Sequence, residues 1–239
     1  MPSTLDPIPL SPVATAARPF AGMTVLVVED SRFASEAVRL LCLKSGARIR
    51  RADSLRAARR HLSVYAPTVV IIDLGLPDGS GLDLIAELDG SANRMPVILA
   101  TSGDDTQFAA AMDAGADGTL AKPVESLAVF QNAVLDILPP DGRPAGLRLV
   151  SGEMVEPDRV ALRDDLAHIA DVLTTCDDDK TIDYVGQFLT GVARSAHDEP
   201  LETAADALVA RRSAGGSIRS ELAQIAGLLQ DRIEGCAAI

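Results

Sequence analysis

Thr68-Val69-Val70-Ile71-Ile72-Asp73-Leu74-Gly75-Leu76-Pro77 is the stretch that decides the fold. Its first five residues are all β-branched and mostly apolar. They read as a short strand covered on both faces, the kind found inside a parallel sheet. The strand runs into a single carboxylate, Asp73, and Pro77, Gly79 and Gly81 then punctuate a loop. A buried parallel strand needs parallel neighbours, and each must be reached through a crossover.

The chain provides those neighbours on both sides. Upstream, Met23 to Val28 is an apolar run ending in Glu29-Asp30-Ser31. Ser31 is a helix cap, and Phe33, Ala37, Leu40 and Leu41 share one face of the helix it starts. Gly46 stops that helix. A second strand is expected over Ala47 to Ala52 and a helix over Ser54 to Val64. Downstream, Leu82 to Leu88 reads as a short helix. Pro96 to Ala100 is a strand ending at Thr101-Ser102-Gly103. Asp104 to Ala114 is expected to be helical, Gly118 to Ala121 a short strand ending at Lys122-Pro123, and Glu125 to Leu138 a helix. Five strands alternating with five helices predict an α/β fold, a doubly wound five-stranded parallel sheet.

Domain organisation follows from punctuation. Residues 1–21 contain Pro2, Pro7, Pro9, Pro12 and Pro19, and lack the basic start and apolar core of a signal peptide. They are expected to be a disordered leader. Residues 22–138 form the α/β unit. Residues 139–156 form a linker that opens with Pro139-Pro140-Asp141-Gly142-Arg143-Pro144, with a short extended piece expected over Leu147 to Val150. Residues 157–239 show helical period in four stripes: Leu162, Leu166, Ile169 and Leu173; Ile182, Val185, Leu189 and Val192; Leu201, Ala205 and Leu208; Ile218, Leu222, Ile225 and Leu229. They predict a small all-α domain of about four helices.

Charge narrows the function. The 239 residues carry a net −12. Residues 1–150 hold −3 of this and residues 151–239 hold −9. A DNA-binding output is expected to be basic, so DNA is disfavoured as a partner. With 3% aromatics and no Trp, a base-stacking platform is disfavoured too. Three separated cysteines, Cys42, Cys176 and Cys236, lack metal-site spacing and fit a reduced, cytoplasmic setting. No apolar run reaches the length of a membrane span.

Ligands of doubly wound sheets bind beyond the carboxyl ends of the strands. Glu29, Asp30, Asp73, Thr101 and Lys122 all fall there. Three carboxylates in one crevice repel one another unless a cation joins them. Mg²⁺ suits a few carboxylates plus phosphate oxygens. Lys122 supplies a compact positive charge, Thr101 a hydroxyl, and Asp73 stands alone as a nucleophile able to form an acyl phosphate.

Val27-Val28-Glu29-Asp30, Ile72-Asp73-Leu74-Gly75-Leu76-Pro77 with Gly81, Leu99-Ala100-Thr101-Ser102, and Gly115-Ala116-Asp117-Gly118 running into Lys122-Pro123 closely resemble the receiver domain of bacterial two-component response regulators. The resemblance covers about half the chain and implies a flavodoxin-like receiver. It implies that a histidine kinase or phosphotransfer protein phosphorylates Asp73. It implies that Glu29, Asp30, Asp73 and the Gly75 carbonyl bind Mg²⁺, and that Thr101 and Lys122 contact the phosphoryl group. Self-catalysed phosphorylation and dephosphorylation are implied rather than a separate enzyme activity, and the Lys122-Pro123 bond is expected to be cis. Two features depart from the family. Thr119 stands where an aromatic residue usually relays the signal, and Gly75 and Gly103 put no side chain beside the phosphoryl pocket.

The acidic helical domain is expected to bind a downstream protein or a second copy of the chain. The alternative is a phosphorelay intermediate or phosphate sink, with His168, flanked by Asp164 and Asp171, as a phosphotransfer residue. His61 and His197 read as solvated. Arg48, Arg50, Arg51, Arg56, Arg59 and Arg60 crowd one stretch. They read either as a solvated face or as a dock for the acidic helices, in the same or a neighbouring molecule. Asp177-Asp178-Asp179 reads as a helix cap run.

Overall fold

The computed structural model describes residues 13–144, 151–175 and 178–236. Five parallel strands form the first layer: β1 (Thr24–Val28), β2 (Arg48–Ala52), β3 (Val69–Asp73), β6 (Val97–Ser102) and β7 (Gly118–Ala121), in the order β2-β1-β3-β6-β7. A small antiparallel hairpin, β4 (Gly75–Leu76) and β5 (Gly79–Ser80), follows β3, where Pro77 and the glycines of the sequence suggest only a loop. Helices α1 (Arg32–Ser45) and α5 (Leu127–Leu135) cover one face of the sheet. Helices α2 (Leu55–Leu62), α3 (Gly81–Asp89) and α4 (Phe108–Asp113) cover the other. The expected helix over Asp104 to Ala114 begins as a 3₁₀ turn at Asp105–Gln107.

Local chemistry sets these boundaries. The Ser31 side chain caps α1 by accepting from the Ala34 amide, and Ser54 does the same for α2 from Ala57. Gly46 ends α1 at φ 87°, a left-handed conformation that suits glycine. Val69 to Ile72 are fully buried, because helices pack on both sides of β3.

Part of the expected leader belongs to the α/β unit. Phe20 is fully buried, its ring meets Phe130 edge-on at 5.6 Å, and its amide donates to the Ser45 carbonyl. Residues 1–12 and the Leu147 to Val150 piece lie outside the described residues.

Four helices follow: α6 (Arg159–Thr175), α7 (Asp179–Ser195), α8 (Glu199–Ser213) and α9 (Arg219–Cys236). Asp178 caps α7 and Asp198 caps α8. Their apolar stripes meet in a separate core that includes Leu166, Ile169, Val185, Leu189, Leu208 and Leu229.

Candidate functional site

Sheet register assembles the site. Asp73 ends β3 directly opposite Thr101 on β6. Val28 pairs with Ile72, so Glu29 and Asp30 emerge beside Asp73 on the other flank. Ser102 pairs with Ala121, which leaves Lys122 just past the end of β7. Five residues scattered between Glu29 and Lys122 thus meet at one sheet edge, as their strand-end positions predict.

Glu29, Asp30 and Asp73 each present a carboxylate oxygen within 4.8 Å of the others. The Lys122 ammonium lies 2.8 Å from Glu29 Oε2 and 3.1 Å from Asp73 Oδ1. Glu29, Asp73, Thr101 and Lys122 are buried. Burial pushes the Asp73 carboxyl up to about 7; Lys122 opposes that rise and Glu29 adds to it. Asp30 is also held well above the usual carboxylate range, by burial first and then by Glu29 and Asp73. Burial works against the Lys122 ammonium, but Asp73 and Glu29 outweigh it and hold the lysine charged. One cation facing three carboxylates leaves excess negative charge, which a hard divalent ion neutralises. The Thr101 hydroxyl is buried with no hydrogen-bond partner among the described residues, so it is free to meet a ligand oxygen. The Lys122-Pro123 bond is cis.

The helical domain closes over this site. Asp165 on α6 accepts from the Ser31 hydroxyl at 2.7 Å and from the amides of Arg32 and Phe33, both at 2.9 Å. It is a second cap on the start of α1, delivered from another domain. Its neighbour Asp164 pairs with Arg32 at 2.8 Å. From α7, the Tyr184 hydroxyl donates to Asp30 Oδ2 at 2.7 Å. Further along α7, a Cβ added to Gly75 would lie 3.3 Å from Gln187 Oε1, and one added to Gly103 would lie 3.5 Å from the Gly191 Cα. These two glycines beside Asp73 and Thr101 are therefore seats for α7. Between the layers lies a cavity of about 460 Å³, lined by Asp30, Asp73 and Lys122 from below and by Gln187, Thr190 and Arg194 from above.

Asp165, Tyr184 and Gln187 are not among the residues that the sequence marks as functional, and neither is the contact of His197 with Glu125 at 3.1 Å. His197 is exposed, as the sequence suggests, and carries this contact at the surface. His168 is exposed on α6 and has no hydrogen-bond or ion-pair partner among the described residues. The arginine cluster is not the dock used within this chain. Arg59 pairs with Glu87 of α3, and Arg51 donates to the carbonyls of Glu29 and Asp30.

Residues 25–133 match the family model described as response regulator receiver domain. The chain is 33% identical over 99 residues to the KDP operon transcriptional regulatory protein KdpE of Escherichia coli, covering 41% of this chain and 44% of that protein. It is 34% identical over 102 residues to the virulence transcriptional regulatory protein PhoP of Salmonella typhimurium, covering 42% and 46%. The chain thus spans less than half the length of these curated relatives. Among solved structures, a putative response regulator from Chloroflexus aurantiacus is 28% identical, covering 48% of this chain and 98% of that one at a TM-score of 0.44. A receiver domain from Methylobacillus flagellatus gives the same four values.

Proposed function

Proceeding from residues 25–133 as a response regulator receiver domain, we propose that the chain accepts a phosphoryl group on Asp73 and signals through its helical domain. The observation that carries this reading is the cluster of Glu29, Asp30 and Asp73 carboxylates beside the Lys122 ammonium and the unpartnered Thr101 hydroxyl.

The donor is a phosphohistidine on a histidine kinase or phosphotransfer protein. An Asp73 oxygen attacks phosphorus; the new P–O bond forms as the P–N bond breaks, and the imidazole leaves with the electron pair and takes up a proton. Lys122 balances negative charge on the phosphoryl oxygens, and Thr101 donates to one of them. Glu29, Asp30, Asp73 and the Gly75 carbonyl would hold Mg²⁺, and the ion would supply positive charge to offset the carboxylates and the incoming phosphoryl group. In a separate step water attacks phosphorus, the P–O bond to Asp73 breaks as the new one forms, and the Asp73 carboxylate and inorganic phosphate are released, so the chain is a self-limiting switch rather than a separate enzyme.

Residues 157–239 are the output, a protein-binding or dimerising module that works in the cytoplasm. Their acidic charge supports a protein partner over DNA. No helix among the described residues is long and apolar enough to cross a membrane.

Incubation with phosphoramidate and Mg²⁺, followed by intact mass, tests the acceptor. Wild type gains one phosphoryl group and Asp73→Asn gains none. Equal labelling of Asp73→Asn overturns the assignment. Light scattering on the same samples reads any change in oligomeric mass.

A further inference from the structure

The proposed function leaves α7 unexplained, although it lies directly over the acceptor carboxylate. A phosphohistidine carried by another protein must bring its ring nitrogen roughly in line with an Asp73 oxygen. Its own backbone must then pass over the strand ends. That place is taken. Gln187 rests on Gly75, Gly191 rests on Gly103, and a Cβ added to Gly191 would lie 3.9 Å from Lys122 Nζ. Tyr184 within α7 bonds Asp30, His197 just past the end of α7 pairs with Glu125, and Asp165 of α6 grips the start of α1.

The glycines on both sides point the same way. Gly191 sits inside a helix, where glycine costs roughly 1 kcal/mol relative to alanine. It meets Gly103 with no side chain between the two backbones. Close approach of α7 to the receiver accounts for both residues.

We infer that α7 occupies, in cis, the surface a phosphohistidine-bearing protein needs, so that the closed chain excludes protein phosphodonors while small phosphodonors still reach Asp73. The inference rests on Asp73 as acceptor. Small donors have a route because the 460 Å³ cavity is rimmed by Asp104, Asp105 and Thr106, all exposed. A protein donor works only on the fraction of molecules with α7 lifted, and its apparent rate is reduced by that fraction. The helical domain then has two roles that exclude each other: it shields the site when docked and is available to a partner when released.

The test uses the full chain and two undocking variants. Gly191→Leu inserts a side chain where α7 meets Gly103, and it replaces glycine with a better helix former, so α7 itself stays intact. Asp165→Asn is nearly isosteric but turns an amide toward the donors at the start of α1. Each protein is offered phosphoramidate with Mg²⁺ and, separately, a panel of purified phosphohistidine-carrying phosphotransfer proteins. Phosphoramidate is expected to label all three chains within about twofold. The phosphotransfer proteins are expected to label both variants about tenfold faster than wild type, as a shift in the competent fraction requires. Equal labelling of wild type and variants by the protein donors overturns the inference and leaves the acceptor assignment standing. So does failure of every protein donor on both variants while phosphoramidate works. No labelling of wild type by phosphoramidate sinks the acceptor assignment instead.

Discussion

The Tyr184 hydroxyl donates to Asp30 Oδ2 across 2.7 Å, and the two residues are 154 positions apart in the chain. One belongs to the helical domain, the other to the acidic cluster of the receiver. Burial, followed by the charge of Asp30, drives the Tyr184 phenol pKa upward, so the hydroxyl stays protonated and remains a donor. Tyr184→Phe keeps the ring against Phe188 and deletes only this bond. The expected loss of stability is about 1–2 kcal/mol, since a partly buried carboxylate loses its donor. Denaturant midpoints with an unchanged m-value measure it. A midpoint equal to wild type means that the bond contributes nothing in solution.

Asp30, Asp73 and Asp165 all have raised pKa values, each chiefly through burial. An acid raised in the folded state holds a proton that the unfolded chain has already lost. Its contribution is complete below the unfolded value of about 4 and is lost as pH rises through the folded value. With the Asp73 carboxyl pushed up to about 7, part of that loss falls near neutral pH. In EDTA, stability is therefore expected to fall between pH 5 and pH 8, by roughly 1.4 kcal/mol for every tenfold difference in proton affinity between the folded and unfolded chain. Saturating Mg²⁺ needs ionised carboxylates and should remove most of that slope. Denaturant titrations at pH 5, 6, 7 and 8, with and without Mg²⁺, decide it; a rise in stability over that range in EDTA contradicts the electrostatics of the site.

Why the sequence disclosed the carboxylate cluster at the strand ends but not its cover has a physical basis. Each strand of a parallel sheet carries its functional residue at its own carboxyl end, so a local pattern, an apolar run and then a polar residue, marks Glu29, Asp73, Thr101 and Lys122 one at a time. The fold supplies their convergence. Asp165 and Tyr184 have no such mark. They lie on helices whose apolar stripes, through Leu166 and Ile169 or Val185 and Leu189, point to the helical core, and an acid in a strongly acidic segment reads as solvated. The available signal was glycine: Gly75 and Gly103 beside the pocket, and Gly186 and Gly191 within α7, where a Cβ on Gly186 would come 2.7 Å from Val209. The six arginines from Arg48 to Arg60 are all exposed, as a solvated face would be, and opposite net charge alone carried no geometry for an intramolecular dock. The β4–β5 hairpin is two residues per strand, too short for any period to register.

Phe20 tests where the α/β unit begins. It is fully buried among Val25, Leu41, Phe130 and Val134, although the proline-rich stretch before it suggests a free leader. Phe20→Ala should cost about 3–5 kcal/mol, the usual range for a buried phenylalanine. Thermal unfolding measures this directly. A change under about 0.5 kcal/mol, typical of an exposed site, would return Phe20 to the leader.

Asp73→Asn isolates the effect of one buried carboxylate on stability. At pH 8 in EDTA, Asp73 is a buried carboxylate close to two others, and Lys122 is shared with Glu29 at 2.8 Å. The amide removes one buried charge while Glu29 keeps its partner. The variant is therefore expected to be more stable than wild type by up to about 4 kcal/mol, the scale of a carboxyl raised from the ordinary aspartate value to about 7. Adding Mg²⁺ should reverse the order, because wild type gains binding free energy through a carboxylate that the variant lacks. Guanidinium unfolding at pH 8, in EDTA and again in excess Mg²⁺, gives both comparisons. If Asp73→Asn is the less stable protein in EDTA, the Lys122 contact at 3.1 Å outweighs the repulsion among the carboxylates, and the site is held together without a cation.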